Sequence, residues 1–144
     1  MKYKSQNCPV AQSLSILGNH WTLLIARNIM NGIDRFDKIQ KNLNISRNLL
    51  SKRLKQMECD GLIEKVLIDG LKRYKYQPSD KCKDLIEIFF SLSQWSEKWV
   101  LDNNIPKLRA KHCDTGKELQ LKFVVNKRKE TIKSDKVILD LIYN

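Results

Sequence analysis

The sequence lacks a run of apolar residues long enough to cross a membrane, which takes about 18 residues. Its first five residues, Met1 to Ser5, also lack the hydrophobic segment of a secretory signal. The sequence therefore lacks the usual features of membrane proteins and of secreted proteins. We therefore expect a cytoplasmic protein that has no membrane partner.

The patterns that mark metal centres and catalytic sites are absent as well. The sequence has 4 cysteines, Cys8, Cys59, Cys82 and Cys113, and no two of them form a Cys-x-x-Cys pair, so a zinc knuckle is not predicted. Neither of the 2 histidines belongs to a recognisable catalytic constellation, and no glycine-rich loop is present that would cradle a phosphate. We predict no enzymatic activity, no metal site and no cofactor.

Acidic residues are few compared with basic ones. The chain has 144 residues, of which 27 are Lys or Arg and 16 are Asp or Glu, so its formal net charge is +11. Such an excess attracts polyanions, nucleic acid first and anionic membranes second, although a lysine-rich proteome would also produce it. The length and the 42% of hydrophobic residues suffice for one compact domain and an appendage.

Three helices are predicted before residue 44, because apolar residues recur there at intervals of three and four. Pro9 suits the first turn of the first helix, which Gly18 ends. Asn19 is a suitable N-cap for a second helix, His20 to Asn31, and a short third helix fits Phe36 to Leu43.

The fourth helix is the most informative segment of the sequence. Ser46 caps a helix that runs to about Asp60 and stops at the glycine that follows. When Leu50 is placed on the buried face and each residue is turned by about 100°, Leu54 and Met57 fall on the same side. The opposite side is polar and basic and carries Asn48, Ser51, Lys52 and Lys55.

A β-hairpin is predicted next. Two segments rich in β-forming residues, Ile63 to Ile68 and Leu71 to Gln77, are separated by Asp69-Gly70, a strong hairpin signal. The basic side chains of the second segment that can reach a phosphate backbone are Lys72, Arg73 and Lys75. This order of elements predicts a mainly α fold with a small β-hairpin wing, a winged helix-turn-helix, whose fourth helix lies in the major groove of DNA.

Ser79 is the predicted N-cap of a long fifth helix, Asp80 to Asp102, which has a strongly apolar seam. The seam suits core packing and also a dimer interface. We expect it to serve both, because an exposed aromatic stripe is a liability for a monomer. The residues expected between two copies of the chain are Val10, Leu14, Leu85, Phe89, Leu92, Trp95 and Trp99.

The pattern changes after Pro106. Residues Leu119 to Val125 alternate between apolar and mostly polar side chains, a charged run spans Asn126 to Glu130, and Val137 to Tyr143 suits a further strand. We predict a β-rich C-terminal extension, a hairpin to which the sequence assigns no role. The predicted organisation is an N-terminal arm at 1–8, a winged helix-turn-helix domain for DNA binding and dimerisation at 9–103, and the extension at 104–144.

Several motifs resemble the HxlR family of bacterial and archaeal regulators, over about residues 7–100. In chain order they are Cys8-Pro9-Val10-Ala11, Leu17 to Ile25, Arg35-Phe36, Ile45 to Lys55, Asp60 to Ile63, Arg73 to Tyr76 and Trp95 to Trp99. The resemblance implies a MarR-like winged-helix dimer, built through its first and last helices, that represses or activates nearby genes.

Transferred residue by residue, the resemblance implies DNA contacts at Ser46, Arg47, Asn48, Ser51 and Lys52, and at Arg73 on the wing. The full predicted DNA-binding set adds Arg35, Lys55 and Lys72. One departure concerns the entry to the last helix, where the usual Leu-Thr-x-x-Gly is replaced by Pro78-Ser79-Asp80-Lys81-Cys82. The geometry of that junction is left open, although Ser79 can still cap the helix.

Cys8 has two interpretations. It directly precedes Pro9 at the start of the first helix, where unpaired N–H groups favour a thiolate, and members of the resembled family use such a cysteine to sense oxidants or electrophiles. Alternatively, it is a small apolar filler against the dimer partner. Cys59, on the outer side of the fourth helix, is a candidate disulfide partner or a second site of modification, whereas Cys82 and Cys113 are expected to be structural or incidental.

The sequence therefore predicts a sequence-specific DNA-binding transcriptional regulator that acts as a dimer on an inverted-repeat operator. Under the sensing interpretation of Cys8 it would also respond to an oxidant or electrophile. Its expected partners are double-stranded DNA, a second copy of the chain, and a small electrophile or oxidant. The alternative is a winged helix that binds RNA or protein. A protein-binding module would not need the basic face of the fourth helix, whereas attraction to phosphates alone does not separate RNA from DNA.

Overall fold

The computed structural model describes residues 8–68, 70, 73–101, 108–125, 130–132 and 137. The chain forms two compact units, Met1–Leu85 and Ile86–Asn144, and this division falls before the boundary at residue 103 in the sequence analysis. Of the predicted arm at 1–8, only Cys8 is among the described residues. Among the helices of the described residues, none combines the length and the apolar character that a membrane span requires.

The first unit begins with four helices, α1 (Pro9–Leu17), α2 (His20–Met30), α3 (Phe36–Leu43) and α4 (Arg47–Cys59). All four were predicted, and both predicted side-chain caps form. The side-chain oxygen of Asn19 accepts a hydrogen bond from the N–H of Trp21 at 3.1 Å, and the hydroxyl of Ser46 accepts one from the N–H of Leu49 at 3.4 Å. Gly61 ends the fourth helix with a φ of 69°, a left-handed conformation that glycine adopts without strain.

The core of the first unit includes the apolar faces of α2, α3 and α4, and its fully buried side chains include Ile25, Ile39, Leu50, Leu54, Met57, Leu62 and Ile63. Asn28 is a buried polar residue of α2. Its amide donates to the side-chain oxygen of Asn42 at 2.8 Å, and its own side-chain oxygen accepts from Arg27 at 3.1 Å. The bond between Asn28 and Asn42 ties α2 to the end of α3, since a buried amide is stable only when it has hydrogen-bond partners.

The predicted wing is confirmed as an antiparallel hairpin of β1 (Ile63–Leu67) and β2 (Tyr74–Pro78). The second strand begins at Tyr74 rather than at Leu71, and residues 69, 71 and 72 of the tip lie outside the described residues. The N–H of Tyr76 donates to the carbonyl of Asp34 at 2.8 Å. The wing is therefore fixed to the segment between α2 and α3 as well as to its own strand pair.

The fifth helix is shorter than predicted. The structure has α5 (Asp80–Lys83), a two-residue turn, and then α6 (Ile86–Trp99), which belongs to the second unit. The prediction of one helix from Asp80 to Asp102 is therefore wrong. Cys82 and Leu85 are both buried, and the N–H of Leu85 bonds to the carbonyl of Cys82, three residues back, at 3.1 Å, which tightens the last turn of α5.

The described part of the second unit contains α6 and a short antiparallel hairpin, β3 (Phe123–Val125) paired with β4 (Glu130–Ile132). A β-rich extension is therefore confirmed, but the position of its second strand is corrected. Val137 lies outside any strand, and residues 138–143 of the predicted strand lie outside the described residues. β3 and β4 are close along the chain, which favours their pairing, and Glu130 of the charged run belongs to β4.

Candidate nucleic-acid interface

The outer face of α4 is polar and basic, as the helical pattern predicted. Leu50, Leu54 and Met57 are buried on the inner face. The predicted DNA-binding residues of this segment are all exposed, namely Ser46, Arg47, Asn48, Ser51, Lys52 and Lys55. A helix with this division presents hydrogen-bond donors and acceptors, and positive charge, along one accessible side.

The N-terminus of α4 is suited to anions. Ser46 satisfies the N–H of Leu49, and the other N–H groups of the first turn have no partner within the helix. These groups and the helix dipole favour negative charge at this end. The first turn therefore adds a partial positive charge to the side chains of Arg47 and its neighbours.

A cleft with a volume of about 430 Å³ lies beside this helix end, within the first unit. It brings together the start of α3, the start of α4 and both strands of the wing. Its described lining residues are Arg35, Phe36, Asp37, Arg47, Lys65, Arg73, Tyr74 and Tyr76. Four of these residues carry positive charge and one carries negative charge, so the cleft is electropositive.

Aromatic rings hold two of the four cations in place. The guanidinium carbon of Arg47 lies 5.4 Å from the ring centroid of Phe36, and the ammonium of Lys65 lies 4.4 Å from that of Tyr74. Cations over ring faces at these distances are attracted by the ring quadrupole. Arg35 is held differently, because its Nε lies 3.6 Å from a carboxylate oxygen of Asp37.

Tyr76 anchors the floor of the cleft. Its side chain is buried, and both this burial and the neighbouring carboxylate of Glu58 raise the pKa of its phenol. The ring therefore stays neutral over the physiological pH range. Tyr76 supports the position of the wing rather than adding charge to the cleft.

The junction between the wing and α5, which the sequence left open, is built around Ser79. Its hydroxyl lies 2.7 Å from the carbonyl oxygen of Gly61 and 2.9 Å from that of Leu62, and it accepts the N–H of Cys82 at 3.2 Å. The ammonium of Lys81 donates to the carbonyl of Asp60 at 2.7 Å, which places a positive charge at the C-terminal end of α4, where the helix dipole favours it. The expected cap at Ser79 is confirmed.

The structure separates the predicted site residues into two groups. Arg35, Arg47 and Arg73 meet in the cleft, whereas Ser51, Lys52 and Lys55 lie farther along α4 and do not line it. Lys72 lies outside the described residues. Sequence reasoning missed Lys65, since nothing in β1 indicates which of its alternating side chains faces the helices.

The residues predicted at a dimer interface differ in exposure. Val10 and Leu14 are exposed on α1, Leu92, Trp95 and Trp99 are exposed on α6, and Phe89 is half-buried. Leu85 is only 6% exposed and lines a cavity of about 110 Å³ in the first unit. It therefore has little surface left for a partner, which corrects its place in the predicted interface.

The four cysteines are free and lie in different environments. Cys8 is half-buried at the N-cap position of α1, and its side chain makes no capping hydrogen bond. Cys59 and Cys113 are exposed, whereas Cys82 is buried, which raises the pKa of its thiol.

A group of side chains that could ligate a metal lies in the C-terminal extension, where the sequence analysis predicted no metal site. The ligand atoms of His112, Cys113 and Asp114 lie within 4.8 Å of one another on an exposed turn of the second unit. The described residues offer only these three ligand atoms there, one fewer than the four protein ligands of a structural zinc site.

Residues 16–104 match the family model described as HxlR-like helix-turn-helix. The chain is 34% identical over 100 residues to the HTH-type transcriptional regulator YvaP of Bacillus subtilis, which covers 67% of this chain and 93% of that protein. It is 30% identical over 95 residues to the HTH-type transcriptional regulator YodB of the same species, covering 64% of this chain and 85% of YodB.

Solved structures show the same architecture. The crystal structure of PA1607 is similar over 97% of this chain and 99% of its own, with a TM-score of 0.84 and 24% identity, which establishes a shared fold. The reduced form of YodB is similar over 65% of this chain and 94% of its own, with a TM-score of 0.56 and 28% identity. The diamide-treated form of YodB has a TM-score of 0.52 and 27% identity, over 66% of this chain and 97% of its own.

Proposed function

The chain belongs to the HxlR-like helix-turn-helix family of transcriptional regulators, and we propose that it acts as a homodimer on a specific inverted-repeat operator in double-stranded DNA. The observation that carries this proposal is the exposed polar and basic face of α4 beside the electropositive cleft. This cleft lies between the starts of α3 and α4 and the two strands of the wing, and is called below the cleft under the wing. A helix of this kind fits the major groove, while the wing follows the adjacent backbone.

Each predicted DNA-binding residue has a role that its chemistry supports. Asn48 can pair with an adenine edge, and Arg47, Lys52 and Lys55 can reach a guanine edge or a phosphate. The hydroxyls of Ser46 and Ser51 and the first turn of α4 suit phosphates. The remaining residues are assigned to the DNA backbone and the minor groove: Arg35, Lys72 and Arg73.

Dimerisation is supported by the apolar side chains that α1 and α6 each leave exposed. On α6, Trp95 is 59% exposed and Trp99 is 66% exposed. Large exposed aromatic side chains destabilise a soluble monomer in water and favour association. We assign six residues to contacts with the second copy, namely Val10, Leu14, Phe89, Leu92, Trp95 and Trp99.

Selection of duplexes from a random-sequence pool by the purified protein tests this function. The expected product is an inverted repeat whose half-site centres lie about 10 bp apart, one helical turn. Enrichment of an unrepeated site would contradict the dimer. Absence of any enriched duplex, together with binding of an RNA pool at the same salt concentration, would favour the RNA-binding alternative.

We also propose that Cys8 makes DNA binding responsive to thiol-reactive compounds. Its half-buried thiol is not used as a helix cap, and the chain is similar to YodB, for which a diamide-treated structure exists. With diamide, the Cys8 thiol and a second thiol form a disulfide, while the N=N bond takes up two electrons and both protons to become a hydrazine. An electrophile with a carbon–carbon double bond conjugated to a carbonyl would instead form a thioether with the Cys8 sulfur, as its π bond breaks and the thiol proton passes to the carbon next to the carbonyl.

The variant Cys8→Ser tests the response. It should bind the selected duplex as the wild type does and no longer release it after diamide treatment. Cys82→Ala, which removes a thiol that burial shields from diamide, is the matched control and should still respond. An unchanged diamide response in Cys8→Ser would remove this part of the proposal.

A further inference from the structure

We propose that the cleft under the wing clamps one backbone phosphate of the duplex through Arg35, Arg47, Lys65 and Arg73, an assignment that rests on the proposed function. Lys65 is the new residue in this set. The clamp sets the position of the protein on the DNA, whereas the outer face of α4 reads the bases.

Four positive side chains converge in the cleft. The four cations come from separate places in the sequence, yet all of them line one cleft. Among the described lining residues, only Asp37 carries a negative charge, and its carboxylate is exposed and 3.6 Å from Arg35. Placing four cations around one concavity costs repulsion, which an anion between them relieves.

The volume of the cleft suits a phosphodiester. The cleft holds about 430 Å³, whereas one water occupies about 30 Å³ of the liquid. A phosphodiester with part of its sugars therefore fits, and its two free oxygens can accept several charge-assisted hydrogen bonds. Arginine and lysine N–H groups are strong donors for such oxygens.

The cations of the cleft are held in place before an anion binds. Arg47 stacks over Phe36 and Lys65 over Tyr74, which uses the faces of the rings and leaves the N–H groups of the cations available. The bond from the Tyr76 N–H to the carbonyl of Asp34 fixes the wing against the α2–α3 segment. Cations that are already held in place lose less conformational freedom when an anion binds.

These features favour a phosphate over a base. The described lining residues direct four positive charges at one concavity, which suits the negative charge of a phosphate, whereas a base edge carries no net charge. Contacts of this kind fix register and orientation and carry no sequence information directly. Loss of Lys65 should therefore weaken binding to all duplexes similarly.

The test uses the duplex that the wild-type protein selects from a random pool, synthesised with one neutral methylphosphonate at each position in turn. Wild-type protein should lose affinity at several positions. Lys65→Gln should weaken binding of the unmodified duplex, lower the slope of log K against log salt by about 0.9, and lose less affinity than the wild type when the methylphosphonate stands at one position. Arg35→Gln should show its reduced loss of affinity at that same position.

Lys75→Gln is the matched control, because it removes the same charge from the wing but lies outside the cleft lining. At the position where Lys65→Gln shows a reduced loss of affinity, Lys75→Gln should lose as much affinity as the wild type. Thermal unfolding of each variant should match that of the wild type, since Lys65 is exposed. If the Arg35 variant were unfolded, Arg47→Gln would replace it in the comparison.

The assignment is overturned if Lys65→Gln loses as much affinity as the wild type at every methylphosphonate position, or if the reduced losses of the Lys65 and Arg35 variants fall at different positions. A free phosphorylated ligand shares the same chemistry, so inorganic pyrophosphate is titrated without DNA. Saturable pyrophosphate binding that Lys65→Gln abolishes, without a methylphosphonate effect, would also overturn it. Failure of the wild type to select any duplex would instead contradict the proposed function itself.

Discussion

Ser79 shows how one side chain connects the wing to the body of the first unit. Its hydroxyl bridges the carbonyls of Gly61 and Leu62, at the end of α4 and the start of the wing, to the first turn of α5. These contacts could not be predicted from the sequence, where Pro78-Ser79-Asp80-Lys81-Cys82 stands in place of the family motif. The hydroxyl of Ser79 therefore stabilises the fold, whereas Ser46 and Ser51 belong to the proposed DNA-binding face.

Ser79→Ala should lower the free energy of unfolding by about 1–2 kcal/mol, because it removes an N-cap and the hydroxyl donor to the carbonyl of Gly61, whereas the carbonyl of Leu62 keeps its bond to the backbone N–H of residue 79. Urea unfolding followed by circular dichroism measures the change. Ser51→Ala, on the exposed face of α4, is the control and should alter stability by less than about 0.5 kcal/mol. Equal stability of the two variants would contradict the role assigned to Ser79.

Two buried groups predict a loss of stability in alkali. Burial raises the pKa of the Cys82 thiol above its ordinary value of 9.0, and burial together with Glu58 raises the pKa of the Tyr76 phenol above 10.0. The folded state therefore keeps both protons at pH values where the unfolded chain has lost them. This contribution is complete below the ordinary pKa values and is lost as the pH rises through the raised ones.

Urea unfolding between pH 7 and pH 11 tests this expectation; these pH limits span about two units on either side of the thiol pKa. The free energy of unfolding should fall above pH 9, the ordinary thiol value. The fall should be shallower in Cys82→Ala and in Tyr76→Phe, because neither replacement side chain can ionise. An alkaline slope that is identical in the wild type and both variants would show that other groups cause it.

At the scale of single elements, the sequence was a good guide where local rules decide the structure. Asn19 and Ser46 are strong caps, so the starts of α2 and α4 followed from their identity. The break after α5 could not be predicted, because apolar residues keep a helical spacing across it and only the tertiary structure reveals it. The cleft was missed for the same reason, since convergence of Arg35 and Lys65 is a tertiary property.

Helix α4 and the wing should contribute differently to recognition. Asn48→Ala should relax the base preference at one position of the selected duplex, with a loss of discrimination of about 1–3 kcal/mol. Arg73→Gln should weaken binding to every sequence and lower the salt slope by about 0.9. Competition between the selected duplex and single-base variants of it measures both, and the same pattern in the two variants would contradict this division.

At the scale of the whole molecule, the excess of basic residues and the exposed aromatic residues point to two kinds of partner. The net charge of +11 favours polyanions, and the four clustered cations of the cleft show where part of it lies. The sequence predicted the charge and the apolar seam of α6. It did not predict the division at Leu85, because that depends on which segments pack together.

The assembly itself is testable through α6. Trp95→Ala should weaken dimerisation by about 2 kcal/mol, the typical effect of removing an aromatic residue from the centre of an interface. Sedimentation equilibrium over a range of concentrations measures it. Leu67→Ala, which removes an exposed apolar side chain from the wing, should leave the monomer–dimer equilibrium unchanged.

The most direct measurement for the account as a whole is an amide chemical-shift map of the protein with and without the selected duplex. The largest changes are expected in α4, from Arg47 to Lys55, and at Lys65 and Arg73. If the duplex bound while the amides of α4 kept their shifts and the changes appeared elsewhere, α4 would not be the DNA-reading helix and the central claim would be contradicted.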